Sequence, residues 1–291
     1  MRSVNKALYY SFNSRFKTKL YLYLALQSKL NSFSHTVKCQ VEQLERVELL
    51  EAEEVRQLLK RRKQFEYKIQ KRTKCKEDFL GYIQYEVNLL SLLAMRRENS
   101  GYTHKQNEIE GAVRARVNKL YKILERRYQG DATVWLSHIS WCRDQGWEAA
   151  VSRLYLRMLQ VHSDKPALWV AAAQWEFEQG SPDNGRQLLL RGLRFLPGSP
   201  VLHLEYLRLE LLYVEQLRGR GAVLGAGQEE QQDPVLSCEL ARLAARAGLE
   251  AVQTPAFSVS LLATLHTFPW AGQLEKEIVE EITSRYPDRS E

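Results

Sequence analysis

From Val41 onward, apolar residues recur every three to four positions, the spacing that lines one face of an α-helix. Val55, Leu58, Leu59, Phe65 and Ile69 predict one helix. Phe79, Tyr82, Ile83, Glu86, Leu89 and Leu90 predict the next, with Thr73 placed to cap it. The polar run Asn99 to His104 breaks the pattern before a third helix through Val113, Val117, Leu120 and Leu124. Asp131 opens a further pair in which Trp135, Ile139 and Cys142 face inward. Ser181-Pro182 and Ser199-Pro200 each put a hydroxyl at a helix N-cap and proline at the first helical position, where no amide hydrogen is needed; Asp164 and Pro166 act similarly. The pattern stops at Gly219, and a glycine- and glutamine-rich run to Pro234 predicts a flexible linker. Three more helices follow, over about 235–252, 256–267 and 271–286.

A longer period lies over the helical one. Trp135 and Trp169 are 34 residues apart, as are Trp141 and Trp175, Tyr121 and Tyr155, Arg157 and Arg191, Leu159 and Leu193, and Pro166 and Pro200. A fixed step of this size predicts stacked helix pairs, none of which can bury its apolar face alone. The expected fold is therefore all-α, a right-handed α-solenoid preceded by a helical N-terminal module. The recurrence of the tryptophans argues for packing inside each pair. Base stacking, the other use of an exposed aromatic, is the weaker reading.

Composition changes this picture in one respect, the distribution of charge. The net charge is +7, but residues 1–40 carry seven lysines and arginines and no acid, leaving the rest balanced at 35 basic against 35 acidic. The high isoelectric point thus says nothing about the array as a whole. The aromatic, acid-free leader fits a basic tail, a transit peptide or a segment that is not native to the domain. The uncharged stretch Ala251 to Leu274 is interrupted by Pro255 and Pro269 and reads as buried helix, not as a membrane span.

The densest local cluster runs from Arg56 to Lys76, with ten basic residues against the single acid Glu66. On a helix, Lys60, Arg61, Arg62, Lys63, Lys68, Lys71, Arg72 and Lys74 are expected to form an outward stripe for RNA or an acidic partner, with Phe65, Tyr67 and Ile69 interleaved. Catalytic chemistry finds no foothold. The four cysteines and six histidines have no metal-ligand spacing, and no nucleophile motif or phosphate-cradling loop is present. The expectation is a chain without metal, cofactor, small-molecule substrate or enzymatic activity.

The 166–199 unit has Trp169, Gly185, Gly192 and Pro197 where a tetratricopeptide repeat has equivalent residues. It departs in having Trp175-Glu176 in the first helix and Arg186 and Arg191 in the second. This combination resembles the half-a-tetratricopeptide (HAT) variant, and Trp135, Trp141, Trp169, Trp175, Glu176, Arg186 and Pro197 are its signature here. The period equivalents of Glu176, Cys142 and Glu210, differ in type, so no polar code for bases is visible. Val41-Glu-Gln-Leu-Glu-Arg46, Glu66-Tyr-Lys-Ile-Gln-Lys-Arg72, Lys76-Glu-Asp-Phe79, Tyr82-Ile-Gln-Tyr-Glu86, Lys165-Pro-Ala-Leu-Trp169 and Leu193-Arg-Phe195 then resemble the U3 small nucleolar RNA-associated protein 6 family. The resemblance implies a nucleolar scaffold subunit of the small-subunit processome, needed for early cleavages of the precursor to 18S ribosomal RNA. Processome proteins and the U3 small nucleolar ribonucleoprotein are the implied partners, with contact to pre-ribosomal RNA open.

The expected organisation is a basic leader over 1–40, an N-terminal helical module over 41–128, HAT repeats over 129–218, a linker over 219–234 and the helices of a truncated array over 235–291. Two other functions fit the residues: a HAT scaffold of a splicing or 3′-end processing complex, and an organellar RNA-binding repeat protein that uses residues 1–40 for targeting.

Overall fold

The structure is a computed structural model that describes residues 44–47, 49–71, 73, 75–101, 103–224 and 238–285. The leader and most of the linker expected from the sequence lie outside them. All described regular elements are helical. They fall into two compact units that divide between Arg127 and Tyr128.

Unit 1 contains α1 (Ala52–Gln70), α2 (Lys76–Ser100) and α3 (Gln106–Arg127). Helix α2 packs against both of the others. The apolar spacing that predicts these helices also makes their core, because Leu44, Leu49, Leu50, Val55, Leu58, Leu89, Leu93, Ile109 and Val113 form one buried cluster. The expected cap at Thr73 is not formed. Helix α2 starts two residues later from Cys75, whose side chain makes no capping bond.

Unit 2 continues with α4 (Ala132–Asp144), α5 (Glu148–Val161), α6 (Pro166–Glu178), α7 (Pro182–Phe195) and α8 (Pro200–Leu224), each packed on the next. Helix α6 also touches α8, the contact that lets one pair share its interior with the following one. Helices α9 (Glu239–Ala251) and α10 (Pro255–His266) pack on α8, and α11 (Gly272–Arg285) packs on α9 and α10. Their buried cluster is centred on Leu211, Ala245, Phe257, Leu261 and Leu265. Helix α8 runs through Gly219 and Gly221 to Leu224, so the chain leaves the helix later than the glycines predict. Two glycines cost a helix interior only about 1 kcal/mol each, which is too little to stop a long leucine-rich helix.

The 34-residue step is visible in the backbone itself. Gly146 and Gly180 both have left-handed φ angles, +68° and +76°. After each, the next residue's amide donates back to a helical carbonyl: Trp147 N–H to Cys142 O at 3.0 Å, and Ser181 N–H to Glu176 O at 2.9 Å. This turn ends the first helix of a pair and aims the chain into the second. A Cβ at Gly180 would meet nothing within 4 Å, so only the backbone resists a side chain there. Gly180→Ala is therefore expected to lower the stability of unit 2 by about 1–2 kcal/mol, read from urea denaturation followed by tryptophan fluorescence.

Helix starts depart from the caps expected of hydroxyls. Asp131 does cap α4, accepting from Thr133 N–H at 3.0 Å. Ser181 sits at the N-cap of α7 without a side-chain bond, and Lys165, not Asp164, precedes Pro166. At both starts a proline occupies the first turn, so one donor fewer needs an acceptor.

Candidate functional site

Helix α1 carries the basic cluster, and its burial pattern separates the cluster into two parts. Lys60, Arg61, Lys63, Lys68 and Lys71 are exposed. Arg62 is not, being only 2 % exposed, and the expected outward stripe is corrected at this position. The reason is helical geometry. Val55, Leu58, Arg62 and Ile69 repeat at three, four and seven residues, the buried line of α1. The Arg62 Nε and Nη2 atoms donate to Glu86 Oε1 and Oε2 at 2.7 and 2.6 Å, and the Glu86 side chain is fully buried. A second cation, Arg116 of α3, lies 3.9 Å from Glu86. Arg62 therefore joins α1 to α2 and is withdrawn from any surface contact. Arg72 and Lys74 lie outside the described residues.

Two further pairs hold unit 1. The Arg97 Nε of α2 lies 3.1 Å from Glu110 Oε1 of α3, with both side chains buried. Arg96 forks onto Glu54 at 2.6 and 2.7 Å while also donating to the Leu49 carbonyl at 2.7 Å. The Arg96 hydrogen bond, then the Glu51 amide, hold the Glu54 carboxyl down at about 2. Burial pushes the Glu66 carboxyl up, against the opposing hydrogen bond from the Tyr82 hydroxyl. Phe65 stacks on Tyr82 with ring centres 5.1 Å apart.

In unit 2, Trp135, Trp141, Trp169 and Trp175 are all buried. Trp135 Nε1 donates to Gln129 O and Trp169 Nε1 to Ser163 O, each at 3.0 Å and each six residues back. His203, a further 34 residues along, contacts Pro197 O at 2.8 Å through its Nε2. A histidine thus takes the tryptophan's place in the third unit, a substitution that a search for tryptophans alone misses. Arg186 of the repeat signature forks onto Glu210 of α8 at 2.6 and 2.9 Å. Its hydrogen bonds to Glu210 hold the guanidinium's pKa above its usual range. Glu176 accepts from Asn184 at 3.2 Å, and Pro197 is exposed, with its carbonyl in contact with His203.

Arg62–Glu86 and Arg186–Glu210 have the same form. In each, an arginine on one helix meets a buried glutamate 24 residues further on, on the next helix. Such pairs fix which helix face meets which. Among the described residues no group of three His, Cys, Asp or Glu could hold a metal ion, and no helix is long and apolar enough to cross a membrane.

Comparison with known proteins agrees with the resemblance read from the sequence. Residues 37–119 match the family described as U3 small nucleolar RNA-associated protein 6. The chain is 38% identical over 255 residues to the U3 small nucleolar RNA-associated protein 6 homolog of Mus musculus, and 37% identical over the same length to that of Homo sapiens. The chain is similar to members of this family along most of its own length. Each match covers 86% of this chain and 43% of the relative, so the chain spans less than half the length of the curated relatives it matches. The C-terminal part of a TPR repeat-containing protein from Cytophaga hutchinsonii aligns with 89% of this chain and 96% of its own, at 11% identity and a TM-score of 0.38, too distant to bear on the reading of this chain.

Proposed function

We propose that this chain is a non-enzymatic scaffold of the small-subunit processome, acting in the nucleolus with the U3 small nucleolar ribonucleoprotein during maturation of pre-18S ribosomal RNA. The observation that carries the reading is the similarity to U3 small nucleolar RNA-associated protein 6 homologs across 255 residues. The architecture supports it. Stacked helix pairs turn their tryptophans inward and leave the outer helix faces to partners, so binding would be spread over many small contacts. The exposed residues Lys60, Arg61, Lys63, Lys68 and Lys71 are the contact to polyanionic components of the particle, and Arg62 is not part of it. The test is affinity purification of the tagged protein from its own cells, followed by RNA sequencing and mass spectrometry. U3 RNA and preribosomal proteins are expected in the eluate, and nucleolar fluorescence from a fusion. Recovery of spliceosomal or polyadenylation factors in their place, or a mitochondrial signal, would overturn it.

A further inference from the structure

Tyr67 stands out because it is the most exposed large hydrophobic residue among those described, at 70 %. On α1, with 100° per residue, Lys60 and Tyr67 lie along one line, continued by the C-cap residue Lys71, directly opposite the buried line of Val55, Leu58, Arg62 and Ile69. Lys63 flanks the line on one side, and Arg61 and Lys68 flank it on the other. The line from Lys60 to Lys71 is about 16 Å long at 1.5 Å per residue.

The charge on this face is not balanced from within. Among the described residues Lys60, Lys63, Lys68 and Lys71 form no ion pair, and the Arg61 guanidinium donates only to Gln64, at 3.2 Å. The neighbouring acids are engaged elsewhere: Glu53 with Arg56 at 3.0 Å, Glu54 with Arg96, and Glu66 with the Tyr82 hydroxyl at 3.1 Å. The Lys71 ammonium lies over the Tyr67 ring, 5.8 Å from its centre, and the tyrosine as a whole remains largely open to solvent.

We infer that α1 binds single-stranded RNA, with Tyr67 as the platform on which an unpaired base stacks and Lys60, Lys63 and Lys71 as phosphate contacts. This deepens, and rests on, the reading of the exposed basic face as the polyanion contact. The ring decides between candidate ligands. An acidic protein segment would satisfy the lysines without using an aromatic face. A duplex keeps its bases stacked on one another and offers only phosphates and groove edges. An unpaired strand offers both a phosphate chain and free base faces, the combination used by single-strand binders.

The experiment is fluorescence anisotropy of the full chain with a labelled oligouridylate of about 15 nucleotides, and with an RNA duplex of the same length. The single strand should bind more tightly than the duplex at equal salt. Tyr67→Ala should weaken single-strand binding by about 5- to 100-fold and leave duplex binding unchanged, while Tyr67→Phe retains the wild-type affinity. The Lys60→Gln/Lys71→Gln variant should weaken both RNAs and flatten the single-strand salt dependence by about 0.7 log units per lysine. Unchanged single-strand affinity in Tyr67→Ala, or displacement of the RNA by polyglutamate at equal charge, overturns the stacking proposal. Loss of effect in the lysine variant overturns the underlying reading of the face as well. Since Tyr67 is on the outside of α1, an unaltered urea midpoint for Tyr67→Ala separates lost binding from lost folding.

Discussion

Glu86→Ala is expected to destabilise unit 1 by about 3–5 kcal/mol, the largest single effect in this half of the chain. The carboxylate accepts two short hydrogen bonds from Arg62 and sits 3.9 Å from Arg116. Its removal leaves a guanidinium that is only 2 % exposed without its partner and beyond the reach of water. Arg62→Ala should cost less, because Glu86 then still faces Arg116. The apolar pair Arg62→Met/Glu86→Leu should recover much of the loss, since replacing both charges removes the uncompensated one. Urea denaturation followed by far-ultraviolet circular dichroism gives the magnitudes, and hydrogen exchange over residues 52–100 locates them. A cost below about 1 kcal/mol for Glu86→Ala would contradict the buried pair, because exposed ion pairs are worth no more than that.

Trp169→Ala is expected to cost unit 2 about 3–5 kcal/mol. The indole is 2 % exposed, donates to Ser163 O at 3.0 Å and packs with Phe195, whose ring centre is 5.8 Å away. Opposite it is Gly192, where an added Cβ would come within 3.0 Å of the indole ring. The α7 backbone thus lies directly on the ring, and no side chain at Gly192 can move in to fill the space left by alanine. Trp169→Phe keeps most of the packing and loses the hydrogen bond, for a smaller cost of about 1 kcal/mol beyond the lost area. All six tryptophans belong to unit 2, so their fluorescence reports this transition. An unfolding midpoint unmoved by Trp169→Ala would mean that the ring is not part of the shared interior.

The two variants test different levels of legibility. Trp169 was readable because a 34-residue recurrence of one large residue has few explanations other than packing. His203 was not, since its ring does the same work through a different side chain, and only the carbonyl six residues back reveals the equivalence. On α1 the basic cluster was plain in the sequence, yet eight residues of one charge cannot all share a face of a helix that also has to bury one. Glu86 already stood at an inward position by period, which was a sign that a cation would have to meet it. The residue that most clearly directs the exposed face toward an unpaired strand, Tyr67, looked like one of three interleaved apolar residues. Solvent exposure alone distinguishes it from Phe65 and Ile69.

The sequence by itself determined the helices, their approximate limits and the 34-residue step, because hydrophobic spacing and proline and glycine placement act within a few residues of where they are read. It also carried the family resemblance, which lies in local strings. Only the tertiary structure decided that Arg62 is inside and its basic neighbours are outside. A guanidinium can occupy a core position only where a carboxylate from another helix meets it at bonding distance, and that meeting depends on how two helices pack, 24 residues apart in the chain.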